Sequence, residues 1–198
     1  ESPGVHAQPI TEAARGWVAA GGPVVAAHLG YFLEATRRTH PDLTTVVSDL
    51  AYDGALTSHE TVTAARRLDG IRPGLHVVVV DHLDNSTESL EEAEAVSALA
   101  QTLIGRMWHD PSLTDDSGAP APARPLTATD LIVITPYNRQ AERIRGALRA
   151  TGLDDVPVGT VDKFQGQEAP GAILSMGASS HSDVSRGMGF LLDRHRLN

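Results

Sequence analysis

The chain has 198 residues, 41% of them hydrophobic and 21% charged, with no cysteine and a formal net charge of -9 at pH 7. That length suffices for one ordinary domain with a buried core; the missing cysteine excludes a disulfide scaffold and any thiolate ligand or nucleophile, and no apolar run reaches the roughly 18 residues of a membrane helix. The acidic balance argues against a free-standing nucleic-acid binder, because phosphate backbones are held mainly by Lys and Arg, and with no leader pattern a soluble, cytoplasmic protein is expected.

Arg supplies 15 of the 16 basic residues, Lys163 being the one Lys, and Ala is the commonest residue. That bias reflects a GC-rich genome, and a bacterial source is expected. Glu1 to Pro9 lack an initiator Met and any periodic pattern, so the chain reads as cut from something longer. Residues 10–20 have helical spacing with Thr11 as cap, and Gly21-Gly22-Pro23 stops them. In YFLEATRRTHPDLTTVVSDL, Pro41 forbids an uninterrupted helix, while Leu43, Val46, Val47 and Leu50 restart one. A turn-rich stretch from 53 to 74 follows. Four consecutive valines in Leu75 to Asp81 then suit a strand buried on both faces.

Glu91 to Met107 has the spacing of a helix, with Ala93, Val96, Leu99, Ala100, Leu103 and Ile104 on one side. Residues 110–130 are rich in Pro, Ala and Asp and are expected to form a solvated, mobile loop. Leu131 to Thr135 reads as a strand, Asn138 to Thr151 as an Arg-rich amphipathic helix closed by Gly152, and Val156 to Val161 and Ala172 to Met176 as two further strands. Strands alternating with helices predict an α/β domain with a mostly parallel sheet.

Such sheets bind ligands at the carboxyl ends of their strands, which directs attention to four segments. In VGTVDKFQGQE, Val158 to Glu168, polar groups crowd a turn where Gly166 lets backbone approach a ligand. By residue type alone it is equally a surface turn. In ATRRTHP, the paired Arg37 and Arg38 precede His40-Pro41; a guanidinium held by a Pro turn suits a phosphate, and also suits a solvated helix end. In TPYNRQ, Pro136 and a capping Asn138 explain the geometry, and Tyr137 is either a base-stacking or a packing residue. Asn85, Ser86, Thr87 and Ser89 read as turn and cap residues. The histidines show no zinc spacing, and neither a G-x-S-x-G elbow nor a G-x-x-x-x-G-K-S/T phosphate loop is present.

Taken in order, LEATRRTHPDL, the valine strand with DNST and EEA, VITPYNRQ and VGTVDKFQGQE followed by Ser175-Met176 resemble the second RecA-like domain of superfamily 1 helicases, in the Upf-like branch. The resemblance covers about Gly30 to Asn198, and the GTVDKFQGQE string is its most specific part. It implies a RecA-like, three-layer α/β sandwich of the P-loop NTPase type without its own Walker A loop, and an ATP-driven motor on single-stranded DNA or RNA. By position it places Arg38 on the γ-phosphate, Thr160 and Asp162 on the nucleic-acid backbone, Gln165 and Gly166 between that surface and the nucleotide, and Glu168 on the ribose hydroxyl. Tyr137 and Gln140 match a P-Y-x-x-Q element that is mainly structural, with coupling to the strand.

Thr39 replaces the family's Met after the arginine, Gly171 stands where a β-branched residue is usual, and His195 where Asn is commoner. R-L-N at the end runs, in the family, into the sixth motif with its catalytic arginine. The implied layout is a lead-in over 1–29 and a truncated helicase domain over 30–198. ATP and Mg2+ would be held mainly by an upstream RecA-like domain, and the isolated chain would be inactive. A helicase-like binding module without motor activity, or a small α/β enzyme acting on a phosphorylated metabolite, are the competing readings.

Overall fold

The computed structural model describes residues 32–114, 117–164 and 166–180, apart from the side chain of Glu60. The helix expected over 10–20, the lead-in over 1–29, Gln165 and the closing segment with His195 lie outside the described residues. The chain divides into two units, one of residues up to 65 with 73–75 and one of residues 66–72 with 76–180.

In the first unit, β1 (Ala35–Thr36) pairs in parallel with β2 (Thr57–Ser58), and α1 spans Pro41–Ala51. Pro41 stands at the first helical position, where its missing N–H costs nothing. The helix is capped at His40, whose Nδ1 accepts from the Asp42 amide at 3.2 Å. Its buried positions are Thr44 and Ser48, rather than the apolar set the spacing suggests; Leu50 is exposed. Hydrogen bonds make this inner face possible, since Thr44 Oγ1 lies 2.6 Å from Thr39 Oγ1 and Ser48 Oγ accepts from the Leu56 amide at 3.0 Å. The short α2 (Glu60–Thr63) ends in the buried Thr63.

The second unit begins with β3 (Arg67–Leu68). The next segment departs from the expectation of a buried strand over Leu75 to Asp81. Residues 75–81 form no strand, and Val77 and Val79 are 82% and 84% exposed. A two-face-buried strand needs a ladder partner and cover on each side, and among the described residues neither is supplied.

Ser89 then caps α3 (Leu90–Leu103), its Oγ accepting from the Glu92 amide at 3.0 Å. Ala93, Val96 and Ala100 are buried. The helix stops earlier than the apolar spacing suggests. Gly105 takes φ +88° and donates its amide to Leu126 O at 2.8 Å, turning the chain into β4 (Met107–His109). This strand pairs antiparallel with β3 and with β5 (Arg124–Pro125), a small sheet that the sequence does not announce.

The end of the expected 110–130 loop is anchored instead of solvated. Leu126 is 2% exposed, and Arg124 holds Asp130 by two hydrogen bonds of 2.6 Å. Asp130 also accepts from the Thr127 amide at 2.7 Å, which closes a one-turn 3-10 helix over Ala128–Asp130.

The second sheet carries the core. Its order is β7 (Val158–Gly159), β6 (Leu131–Ile134), β8 (Gly171–Leu174), all parallel. Between β6 and β7 runs α4 (Asn138–Ala150), whose Ala141, Ile144 and Leu148 face inward at helical spacing while Arg139, Arg143 and Arg149 face out. Gly152 at φ +73° follows its end. Leu131, Val133, Val158 and Ile173 pack with this face and with α3, and each large apolar side chain so buried contributes roughly 1.5–3 kcal/mol. Between β7 and β8 lies the short α5 (Val161–Phe164), so Val161 belongs to a helix and not to the strand before it.

Candidate functional site

The chain leaves β6 towards β7 on one side and reaches β8 on the other, so the carboxyl ends of these strands flank the point where strand order reverses. In open α/β sheets ligands bind at that point. Thr135 closes β6: its amide donates to Gly159 O at 3.0 Å, and its Oγ1 is buried without a hydrogen-bond partner. Tyr137, not Asn138, occupies the capping position of α4, and its side chain makes no cap hydrogen bond. The Tyr137 ring is 7% exposed and packs against Met176 and Ala178.

Gln140 is fully buried. Its Oε1 accepts from the Ser89 amide at 2.7 Å and its Nε2 donates to Ser175 Oγ at 2.9 Å. Ser175 Oγ donates in turn to Glu92 Oε2 at 2.5 Å, and the other carboxylate oxygen accepts from the Gly177 amide at 3.0 Å. His82 Nε2 lies 3.2 Å from Glu92 Oε1, while its Nδ1 meets Asn85 Nδ2 at 3.1 Å and Ser179 Oγ at 2.8 Å. Asn85 and Ser89 both donate to Glu91, at 3.0 and 2.8 Å. A backbone hydrogen bond and the Ser89 hydroxyl hold the Glu91 carboxyl below the usual range. Two of the four segments singled out in the sequence, the one around Asn85 to Ser89 and TPYNRQ, are thus joined with Ser175, just beyond β8, by one polar network.

Glu92 and His82 are the members of this network that sequence reasoning passed over. Ser89-x-x-Glu92 has the spacing of a capping box, in which the Glu would turn back to the Ser89 amide. That amide is taken by Gln140, and the Glu92 carboxylate reaches across to the end of β8 instead. No local pattern could reveal this, because the partners are 83 and 85 residues away.

The VGTVDKFQGQE segment begins with β7. Thr160 is half-buried, with its carbonyl accepting from the Lys163 amide at 3.0 Å, and Asp162 is exposed in the first turn of α5. Gly166 adopts φ +82° with open space where a side chain would stand, which fits close approach of a ligand to backbone. Glu168 is exposed. Lys163 lies back over Gly159 and donates its Nζ to Val158 O at 3.0 Å. Arg38 belongs to the first unit, where it is exposed and its amide donates to Thr36 Oγ1 at 3.1 Å. Among the described residues no three His, Asp or Glu side chains group as a metal site, and no helix is long and apolar enough to cross a membrane.

Comparison with known proteins places these features. The family model described as an AAA domain matches residues 24–198. The chain is 45% identical over 73 residues to the DNA polymerase alpha-associated DNA helicase A of Schizosaccharomyces pombe, covering 37% of this chain and 10% of that protein. It is 42% identical over 76 residues to the human RNA helicase Mov10l1, covering 37% of this chain and 6% of that protein. With the Regulator of nonsense transcripts 1 homolog of Neurospora crassa it shares 29% identity over 184 residues, 84% of this chain and 15% of that protein. The chain therefore spans 15% or less of the length of these relatives. They are eukaryotic, which lends no support to the expected bacterial source. The α/β architecture with its parallel sheet is that of a RecA-like, P-loop NTPase-type domain, and the chain belongs to the AAA domain family as a superfamily 1 helicase domain of the Upf-like branch.

Proposed function

We propose that the chain is the second RecA-like domain of an ATP-dependent helicase, supplying half of an ATP site and part of a single-strand track, and that it has no motor activity alone. The observation that carries this reading is the convergence of the TPYNRQ segment, the end of β8 and the VGTVDKFQGQE segment at the carboxyl ends of three parallel strands. Side-chain chemistry supports a nucleotide. Arg38 is a permanently charged fork suited to a γ-phosphate; Glu168 is an exposed carboxylate able to accept from ribose hydroxyls; Gly166 leaves room at the backbone. Thr160 and Asp162 are assigned to the strand. The described residues hold no cluster of side chains that fits Mg2+, and the metal and the phosphate cradle are assigned to an upstream RecA-like domain.

In a motor of this kind a γ-phosphate contact acts by favouring the closed state, and hydrolysis releases it. Strand-stimulated ATP hydrolysis tests the proposal. The complete polypeptide should turn over ATP on single-stranded DNA or RNA, Arg38→Ala should lower that rate by about 10²-fold or more, and the purified 198 residues should be inactive. Appreciable turnover by the isolated chain would sink the account, as would a complete polypeptide that no strand stimulates.

A further inference from the structure

We infer that Lys163 and Arg145 form a two-cation contact for a single-strand phosphodiester on the open edge of β7, extending the track assigned to Thr160 and Asp162. The inference rests on the strand-binding reading above. Pro157 O and Gly159 O are turned towards β6, accepting from Val133 N at 2.8 Å and Thr135 N at 3.0 Å, so Val158 O between them faces away from the sheet. Among the described residues β7 has no second neighbour in its sheet. On that one neutral oxygen two cations converge: Lys163 Nζ at 3.0 Å and Arg145 Nη2 at 2.8 Å.

A free carbonyl on a sheet edge is blunted by a single lysine, and a second positive charge brought to the same neutral atom is repelled by the first. Among the described residues Lys163 has no carboxylate partner. Arg145 has only Glu142, 3.7 Å away on its own helix and 80% exposed, a pair that solvent screens strongly. Position is nevertheless well defined. The lysine stem lies where Gly159 has no side chain, and a Cβ there would stand 2.5 Å from Lys163 Cδ. The ammonium, bound to one carbonyl with the Phe164 ring centroid 5.5 Å away, still has N–H groups to offer, as does the guanidinium, so oxygens of one phosphate could take both. Asp162 on the same turn and Glu142 on α4 bring the local charge close to balance. That suits a singly charged phosphodiester better than the polyphosphate of a nucleotide.

The test measures binding of a labelled oligonucleotide to the complete polypeptide across a salt series, with a non-hydrolysable ATP analogue present. Lys163→Met and Arg145→Met should each weaken binding several-fold and lower the slope of log K against log salt by about 0.7, the value for one single-strand phosphate contact. Lys163→Arg should retain both, and Arg149→Gln, whose guanidinium is paired with Asp154, should change neither. Unchanged slopes in both Met variants, or a loss of nucleotide rather than strand affinity, would overturn this inference and leave the strand-binding reading standing. If the unsubstituted protein holds no strand in a salt-dependent way, both fall together.

Discussion

Gln140 is a residue whose type matters more than its volume. Its amide satisfies the Ser89 N–H on one side while donating to Ser175 Oγ on the other. Replacing it with Leu leaves a buried donor unpaired, and each such group costs about 1–3 kcal/mol. Urea unfolding of Gln140→Leu should therefore show a midpoint shift worth about 1–3 kcal/mol, whereas Gln140→Glu would place a carboxylate against Glu92 across Ser175 and should be no milder. Gly177 is constrained in a different way. It sits at φ +69°, and a Cβ would stand 3.3 Å from Gln140 Cγ, so Gly177→Ala carries backbone strain of roughly 1–2 kcal/mol together with crowding of the network. A Gly177→Ala variant as stable as the parent in the same assay would mean that this turn is not held as described.

At the scale of elements, the connection from β5 to β6 is held by electrostatics that pH can test. The Arg124 guanidinium, with the Thr127 hydroxyl and amide, holds the Asp130 carboxyl well below the usual carboxylate range, against the opposing effect of burial. The folded state thus binds that proton less readily than the unfolded chain, whose Asp titrates near about 3.9. Its stabilisation is fully present above that value and is lost as pH falls through the range below it. Thermal unfolding followed between pH 7 and pH 3 should show Tm falling in acid, and Asp130→Asn should lower Tm at neutral pH while flattening the acid limb. Equal acid slopes in the two proteins would show that the pair does not act this way.

Gly171 makes a related point about strand β8. Where the helicase family has a β-branched residue, an added Cβ would come within 2.6 Å of Leu131 Cδ2 on the paired strand. The glycine is matched to a fully buried leucine opposite it.

For the whole molecule, the net charge of -9 bears on affinity rather than on function. Near Thr160 the cations Lys163 and Arg145 are nearly balanced by Asp162 and Glu142. The isolated chain is therefore expected to bind single strands weakly and with a shallow salt dependence, because the slope counts only the phosphates actually contacted. Tight, steeply salt-dependent binding by the 198 residues alone would contradict that.

The existence of α4, β6 and β8, the ends of α4 and β6 to within one residue and those of β8 to within two, and the parallel alternation around them were legible in the sequence, because apolar periodicity, Gly152 and the strand-forming runs all act locally. The ordered motifs identified the helicase family for the same reason, since each is a short string of fixed spacing. Other features depended on partners far along the chain. The valines of 77–79 carry every local mark of a buried strand, yet a strand exists only where a ladder and two covering layers exist. The antiparallel β3, β4 and β5 are two or three residues each, too short for any period to show. Glu92 reads locally as a cap, and only the folding of β8 beside α3 turns its carboxylate towards Ser175 and Gly177. Residue order determined which segments meet the carboxyl end of the sheet; tertiary contact decided which polar groups hold those segments together, because hydrogen bonds between distant residues leave no periodic trace in the chain.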